Sequence, residues 1–407
     1  MVGNVSVRKE VEIVKGGHRL DYQLYKYFLQ YFSESELERI FESIRIPPSR
    51  YYIRVNTLRI SPEELMRSLR EKSIDVNPDE YLPEALWFPV KGPNKIPSAR
   101  KYVLADKRAA ESVYVGANLY VPGVVKMDEG VRRGDEVNVL APNGEVVAFG
   151  IAEVGNDDIK TVRHGIAVKT LVSVYEMPKV REMREYELGL FYDQSLPAQW
   201  VGHVIDPKPN EVIIDMNAAP GGKTSHIIQL SGGRAIVHAF DRSEGKVREM
   251  TEILSRLGMD GLYRVEVRDT RYLDIDRPDL VNSADKVLID PPCTDMGVRP
   301  RLFDVKTMDL VMAMSNYQRQ FIRVAWRLLK PGGILIYSTC TIPPLENEDN
   351  IAYAEGLGFE VIDISIPKVS GGLIDKYRNS VVRFYPHVHD TPGFFIAKLR
   401  KPDQRHQ

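Results

Sequence analysis

EVIIDMNAAPGGKTSH, residues 211–226, is the stretch on which the fold turns. Val212, Ile213 and Ile214 read as a buried strand ending on an acid, Asp215. A tight turn follows through Ala218, Ala219, Pro220, Gly221 and Gly222, and Lys223 opens a helix. Glycine has no Cβ, so the backbone at Gly221 and Gly222 is expected to approach a ligand closely. A helix start adds unpaired N–H groups and a partial positive charge, which suit a phosphate or a carboxylate. The segment therefore predicts a small-molecule site at the carboxyl end of a parallel strand.

The chain beyond it alternates strand and helix. Strands are predicted at 211–216, 235–241, 263–269, 284–290, 332–338, 359–364 and 394–399, with helices over Ser243–Leu257 and Tyr317–Leu329. That alternation predicts a doubly wound α/β sheet, whose ligands lie outside the carboxyl ends of the strands.

Three ligands compete for the turn. NAAPGGKT, residues 217–224, nearly fits a phosphate-binding P-loop, but Asn217 replaces the first glycine and Pro220 removes an N–H from the cradle. A nicotinamide enzyme would use Asp241, 19 residues beyond Gly222, for ribose, yet the glycine fingerprint of that fold is absent. S-adenosylmethionine needs a glycine turn for its methionine part, an acid for the ribose diol and a polar group for adenine. Gly221 with Gly222, Asp241 and Asp269 stand at three successive strand ends. One such acid is commonly a helix cap; three along one sheet edge exceed that need.

The next two strands carry the chain's two cysteines. DPPC ends on Cys293 and YSTCT contains Cys340, so adjacent parallel strands would bring both thiols to one crevice. The bland alternatives are two small buried side chains, a stray disulfide or a zinc site. Two thiols without a histidine pair nearby make a poor zinc site. Carbon 5 of a pyrimidine is a weak nucleophile; a thiolate adding at carbon 6 activates it, and an acid near N3 absorbs the developing charge. A second thiol then assists elimination. Asp290, Cys340 and Cys293 match that need.

The N-terminal half is organised differently. Arg19–Ile46 carries apolar residues at helical spacing (Leu24, Phe28, Phe32, Leu37, Ile40, Phe41) and stops before Pro47. Tyr51–Ile60 alternates like a strand, and Ser61-Pro62-Glu63-Glu64 is a strong helix start. Residues 91–108 hold six Lys or Arg against one Asp, followed by short β-like runs with Pro-Gly and Asn-Gly turns that predict a small barrel. The alternative is a solvated surface of no special function. Formal net charge over 407 residues is −1, so nucleic-acid binding must come from local basic surface. No apolar run reaches membrane-spanning length and no signal sequence opens the chain, so a cytoplasmic location away from membranes is expected.

DMNAAPGGKT, DPPCTDMGVRP, YSTCT, LENEDN and GFFIAKL, in order over roughly 185–400, resemble the NOL/NOP/Sun family of RNA cytosine-5 methyltransferases. The resemblance implies a Rossmann-like class I methyltransferase domain at 206–401, with a mainly parallel seven-stranded sheet and S-adenosyl-L-methionine as cofactor. It implies Cys340 as nucleophile, Cys293 as the residue assisting release, and Asp290 with Lys223 holding the cytosine. The cofactor would meet Asn217, Ala218, Pro220, Gly221, Gly222, Lys223, Asp241, Lys246, Asp269 and Asp290. Asn217 stands where many members have Cys, and the usual DAPC reads DPPC; neither change removes a reacting group. No residue is assigned to remove the carbon 5 proton.

Residues 93–172 are similar to a PUA domain, with Lys107, Arg108, Asn118, Tyr120 and Lys126 as candidate RNA contacts unless Tyr120 belongs to the barrel core. Segment 1–92 would be helical and RRM-like, and 173–205 would complete that RRM-like extension after the insertion. A PUA domain ahead of such a catalytic domain resembles the branch acting on cytidine 72 of tRNA. The implied partner is tRNA, through its acceptor stem and CCA end, with no obligate protein partner. A ribosomal RNA cytosine, or an assembly factor with incidental methylation, are the other readings.

Overall fold

A computed structural model describes residues 12–403. Its largest sheet runs through the C-terminal half. The strands are β1 (Val212–Asp215), β2 (Ile236–Asp241), β3 (Tyr263–Val267), β4 (Ala284–Ile289), β5 (Leu329–Thr339), β6 (Glu360–Ile362), β7 (Val382–Phe384) and β8 (Phe394–Arg400). Their order is β3-β2-β1-β4-β5-β8-β6, and β7 also pairs with β8. The first five are parallel and β8 is antiparallel to its neighbours. All five parallel strands end on one edge, where the site motifs fall.

The seven expected strands are present, and β7 is an addition. It was masked in sequence by Arg383 at its centre. That guanidinium is buried and neutralised by Glu348, to which its Nε donates at 2.7 Å. Helices pack on both faces, giving two apolar layers: one around Val287, Phe321, Leu335 and Phe395, the other around Ile213, Val237, Ile336 and Ile396. The helix expected from Tyr317 begins earlier and spans Met308–Leu328, because Thr307 caps it by accepting from Leu310 N.

The apolar residues of Arg19–Ile46 do share one cluster, but they do not lie on one helix. His18–Asp21 is a strand, Tyr22–Phe28 a short helix capped by Asp21, and Glu34–Arg45 a second helix capped by Ser33. Side-chain caps at both starts divide a pattern that periodicity alone would join. The strand His18–Asp21 pairs in parallel with Asp304–Lys306, beyond the Cys293 motif.

Arg50–Val55 and Ala85–Pro89 pair antiparallel, with Pro62–Glu71 as the accompanying helix. The strand ends at Val55 rather than continuing to Ile60, since Asn56–Arg59 turns back with Arg59 N donating to Asn56 O at 2.9 Å. Phe191–Asp193, which follows the barrel, completes this sheet beside Arg50–Val55. Between them sits a six-stranded sheet over a core that includes Val103, Val137, Val139 and Val168. The basic run is partly folded into it. Lys101–Ala105 is a strand, and Lys101 Nζ lies 2.5 Å from Asp135 Oδ2. No helix among the described residues is long and apolar enough to cross a membrane.

Candidate active site

Parallel register aligns the two thiol motifs. Ile289 of β4 lies opposite Tyr337 of β5, so the residues that follow, Asp290 and Ser338, also face one another. Ser338 Oγ donates to Asp290 Oδ1 at 3.0 Å. Asp290 Oδ2 receives Lys223 Nζ at 2.5 Å, from the second position of the helix Gly222–Leu230. Burial works against the Lys223 charge, but Asp290 outweighs it and holds the ammonium above the ordinary lysine range.

Three residues past Asp290 and two past Ser338, Cys293 Sγ and Cys340 Sγ lie 3.3 Å apart as free thiols. Asp295 completes the group. Its Oδ1 accepts from Cys293 Sγ at 3.4 Å and from Cys340 Sγ at 3.2 Å. The Cys293 thiol is pushed well above the ordinary cysteine range, first by its hydrogen bond to Cys340, then by burial and by the Asp295 and Glu346 charges. Glu346 lies beneath. Its carboxylate accepts from Thr294 Oγ1 at 2.5 Å, Thr294 N at 3.0 Å and Gln318 Nε2 at 2.8 Å, and burial pushes it up to about 7.

A cavity of about 290 Å³ runs along the strand ends, lined among others by Asn217, Asp241, Lys246, Asp269, Asp290, Cys293, Asp295 and Cys340. Asn217 Oδ1 is buried there without a hydrogen-bond partner. An unpaired buried acceptor is costly, and an ammonium such as that of a methionine moiety would satisfy it. Asp241 accepts from Ser243 N at 2.9 Å through Oδ1, and the exposed Lys246 lies one helical turn on. Asp269 is clasped by Arg271, with Nε 2.9 Å from Oδ1 and Nη2 2.5 Å from Oδ2, which lowers its carboxyl below the usual range. It reaches the cavity as half of an ion pair. Asparagine, two acids and a lysine around an elongated cavity fit the amino-acid, ribose and adenine parts of S-adenosylmethionine.

The glycine turn departs from its sequence reading. A Cβ on Gly222 would come 2.9 Å from Tyr192 Cε1, and one on Gly221 would come 3.0 Å from Met250 Cγ. Protein rather than ligand occupies the space expected to admit the cofactor. Gly221 is also left-handed, with φ 103°. Both glycines therefore serve the close packing of the turn. Met216, Asn217 and Ala219 form its border with the cavity; Ala218, with its N–H donated to Phe240 O at 2.8 Å, and Pro220 stand outside that lining. Asp215, 1% exposed, accepts from Thr224 Oγ1 at 2.7 Å, and burial pushes it up to about 6.

Sequence reasoning missed three residues here. Arg54, in the N-terminal sheet, is fully buried and donates to Gly222 O at 2.7 Å, Ser225 Oγ at 2.6 Å and Gln194 Oε1 at 2.5 Å. It braces the start of the helix that carries Lys223. Glu346 was visible only as part of an acidic run. Asp295 falls within DPPCTDMGVRP, where the local pattern marks only Asp290 and Cys293.

In the barrel, Arg108, Tyr120 and Lys126 are exposed, and Tyr120, at 53%, is no part of the core. Lys107 and Asn118 are engaged by neighbours instead. Lys107 Nζ lies 3.0 Å from Asp304 Oδ1, and Asn118 Oδ1 accepts from Thr170 N at 3.0 Å.

A doubly wound sheet with this cavity at its switch edge defines an S-adenosylmethionine-dependent methyltransferase. The family described as 16S rRNA methyltransferase RsmB/F matches residues 202–400, the PUA domain matches 101–172, and the RsmF/B-like ferredoxin-like domain matches 24–93. A tRNA (cytosine(72)-C(5))-methyltransferase of Pyrococcus horikoshii is 42% identical over 386 residues, 93% of this chain and 96% of that protein. The Mus musculus protein named tRNA (cytosine(72)-C(5))-methyltransferase NSUN6 is 34% identical over 360 residues, 79% of this chain and 75% of its own length. The crystal structure of NSun6 from Pyrococcus horikoshii with SFG, an S-adenosylmethionine analogue, superposes with a TM-score of 0.87 at 41% identity, over 94% of this chain and 98% of that one. The chain belongs to the RsmB/F-type (Sun) family of methyltransferases, with a PUA domain inserted ahead of the catalytic one.

Proposed function

We propose that this enzyme methylates carbon 5 of cytidine 72 in the acceptor stem of tRNA, through a covalent bond between Cys340 and carbon 6. The observation that carries the chemistry is the pair of free thiols 3.3 Å apart, beside a carboxylate held by Lys223. The names of relatives aligned over 93% and 79% of this chain support the substrate. The PUA domain supports RNA contact outside the catalytic cleft.

The target base turns out of its stack into the cavity, since chemistry at carbon 5 and carbon 6 needs both ring faces open. Cys340 gives up its thiol proton to solvent and adds to carbon 6 as the thiolate, leaving Asp295 ionised. Lys223 and Asp290 hydrogen-bond the N3 edge and amino group, where charge develops, and their mutual pairing fixes both before the base arrives. Bound S-adenosylmethionine supplies the methyl group as an electrophilic sulfonium. Cys293, held protonated by its neighbours, donates to the Cys340 sulfur as the carbon–sulfur bond breaks. The exposed Arg108, Tyr120 and Lys126 are the candidate RNA contacts on the barrel.

Bisulfite sequencing after incubation of total RNA with enzyme and cofactor tests the reading. Conversion resistance appearing at tRNA cytidine 72 is expected. Resistance confined to ribosomal RNA would replace that substrate with the one in the family's description.

A further inference from the structure

The covalent reading leaves one step without a residue. After carbon 5 receives its methyl group it still carries a hydrogen, and the adduct is released only when a base removes that proton. We propose that Asp295 is this base, and that Asp295 and Cys293 work as the base and the acid of one elimination. The proposal rests on the covalent role of Cys340 given above.

Geometry limits the candidates. With Cys340 sulfur bonded to carbon 6, carbon 5 is the adjacent ring atom, so a base that reaches its proton must sit close to that sulfur. Addition of sulfur to one ring face and of methyl to the other leaves the carbon 5 proton on the sulfur's face. Two groups hydrogen-bond to Cys340 Sγ: the Cys293 thiol at 3.3 Å and the Asp295 carboxylate at 3.2 Å. No other carboxylate among the described residues does so. Asp290 is occupied by Lys223 and Ser338. Glu346 is fully buried beneath Thr294 and bonded to it and to Gln318.

The two remaining groups differ in kind. Asp295 Oδ1 is an acceptor towards both sulfurs, whereas both thiols are donors towards it. Asp295 is exposed on the cavity wall, where an entering base would meet it. Its backbone is left-handed, with φ 56°, and its own N–H donates to Cys293 Sγ at 3.4 Å. That conformation turns the carboxylate back over the two sulfurs. Aspartate and asparagine tolerate it better than most residues.

Asp295 takes the carbon 5 proton; the C–H electron pair forms the C5–C6 double bond; the C6–S pair leaves with Cys340 sulfur. Cys293 S–H protonates that sulfur. Asp295, now protonated, returns its proton to the Cys293 thiolate across the 3.4 Å contact, which restores all three groups. No oxidant or further reactant is needed.

The test uses full-length enzyme, tRNA labelled with tritium at cytidine carbon 5, and Asp295→Asn, which keeps the backbone conformation and side-chain shape. Without cofactor, wild-type enzyme should exchange tritium into water by reversible addition, and D295N should not. With cofactor, D295N should transfer one methyl group per enzyme and stall as a gel-retarded, methylated, tritium-retaining adduct. Tritium release should fall by about 10²- to 10⁴-fold, the usual range for loss of a general base. Release at the wild-type rate would overturn the proposal. So would first-turnover methyl transfer slowed as much as release, with no adduct, which would place Asp295 before methylation. Asp295→Gly, which also accepts the left-handed backbone, should behave as D295N if the carboxylate is what matters. Methylation retained by Cys340→Ala would remove the covalent reading itself, an outcome separable from all of these.

Discussion

Lys223 Nζ and Asp290 Oδ2 stand 2.5 Å apart across the head of the crevice, joining the first helix of the catalytic domain to the end of β4. Neither side chain is free to move alone, so the pair presents a donor and an acceptor in fixed relation. Lys223→Met or Asp290→Asn should each lower kcat by on the order of 10²-fold or more, as loss of one preorganised group commonly does. Because they act as a unit, the double variant should lose little beyond either single one. A double loss equal to the product of the singles, measured in single-turnover assays, would separate their roles.

Cys340→Ala should abolish turnover and adduct formation together. Cys293→Ala should still form the covalent protein–RNA species and accumulate it as a retarded gel band, since the departing sulfur loses its proton donor. An unretarded Cys293→Ala reaction with slow turnover would reverse or remove the assigned roles.

The parts of this design legible in sequence are those written in local pattern. Asp290 and Cys293, and Ser338 and Cys340, fall at the ends of neighbouring strands because hydrophobic runs located β4 and β5, and parallel pairing aligned them. What was not legible depends on contacts between distant segments. Arg54 lies 168 residues from Gly222, whose carbonyl it holds, and nothing near RVNT marks it as part of the site. Gly221 and Gly222 were read from their own turn, whereas Met250 and Tyr192 decide what their missing Cβ atoms make room for. Asp295 looks like a loop acid until Cys340, 45 residues on, is folded against it.

Glu346 should make stability fall as pH rises towards neutrality. Its folded-state pKa of about 7 exceeds the ordinary 4.5. Below about 4.5 it is protonated whether folded or not, so its full contribution is present there. Between about 4.5 and 7 the folded state keeps a proton that the unfolded chain has lost, at about 1.4 kcal/mol per pH unit. Asp215, raised to about 6, works in the same direction. Denaturant titrations from pH 4.5 to 8 should show Glu346→Gln with a visibly flatter pH profile than wild type; parallel profiles would mean Glu346 stays ionised in the folded protein.

Arg54 should matter for stability before chemistry. Its replacement by Leu strands buried acceptors on Gly222, Gln194 and Gln229, each worth roughly 1–3 kcal/mol when left unpaired. A loss of about 3 kcal/mol or more in denaturant unfolding is expected, with KM for the cofactor raised because the helix start at Gly222 loses its brace. Arg54→Lys should recover charge but not the planar fork, and fall between the two. Unchanged unfolding of the Leu variant would show that the buried guanidinium is not a structural tie.

On the barrel, exposure divides the basic candidates into two kinds. Arg108 and Lys126 are exposed, as is Tyr120, so the guanidinium and ammonium groups can release counterions on meeting phosphate. Replacing Arg108, Tyr120 and Lys126 together by Ala should weaken tRNA binding and reduce the salt slope by about two, one for each phosphate contact removed. Lys107 behaves differently, because its charge is paired with Asp304 at the seam with the small sheet formed by His18–Asp21 and Asp304–Lys306. Lys107→Ala should lower thermal stability while leaving the salt slope of tRNA binding near the wild-type value. A salt slope that drops with Lys107 and not with the triple variant would move the RNA face from the open edge of the barrel to that seam.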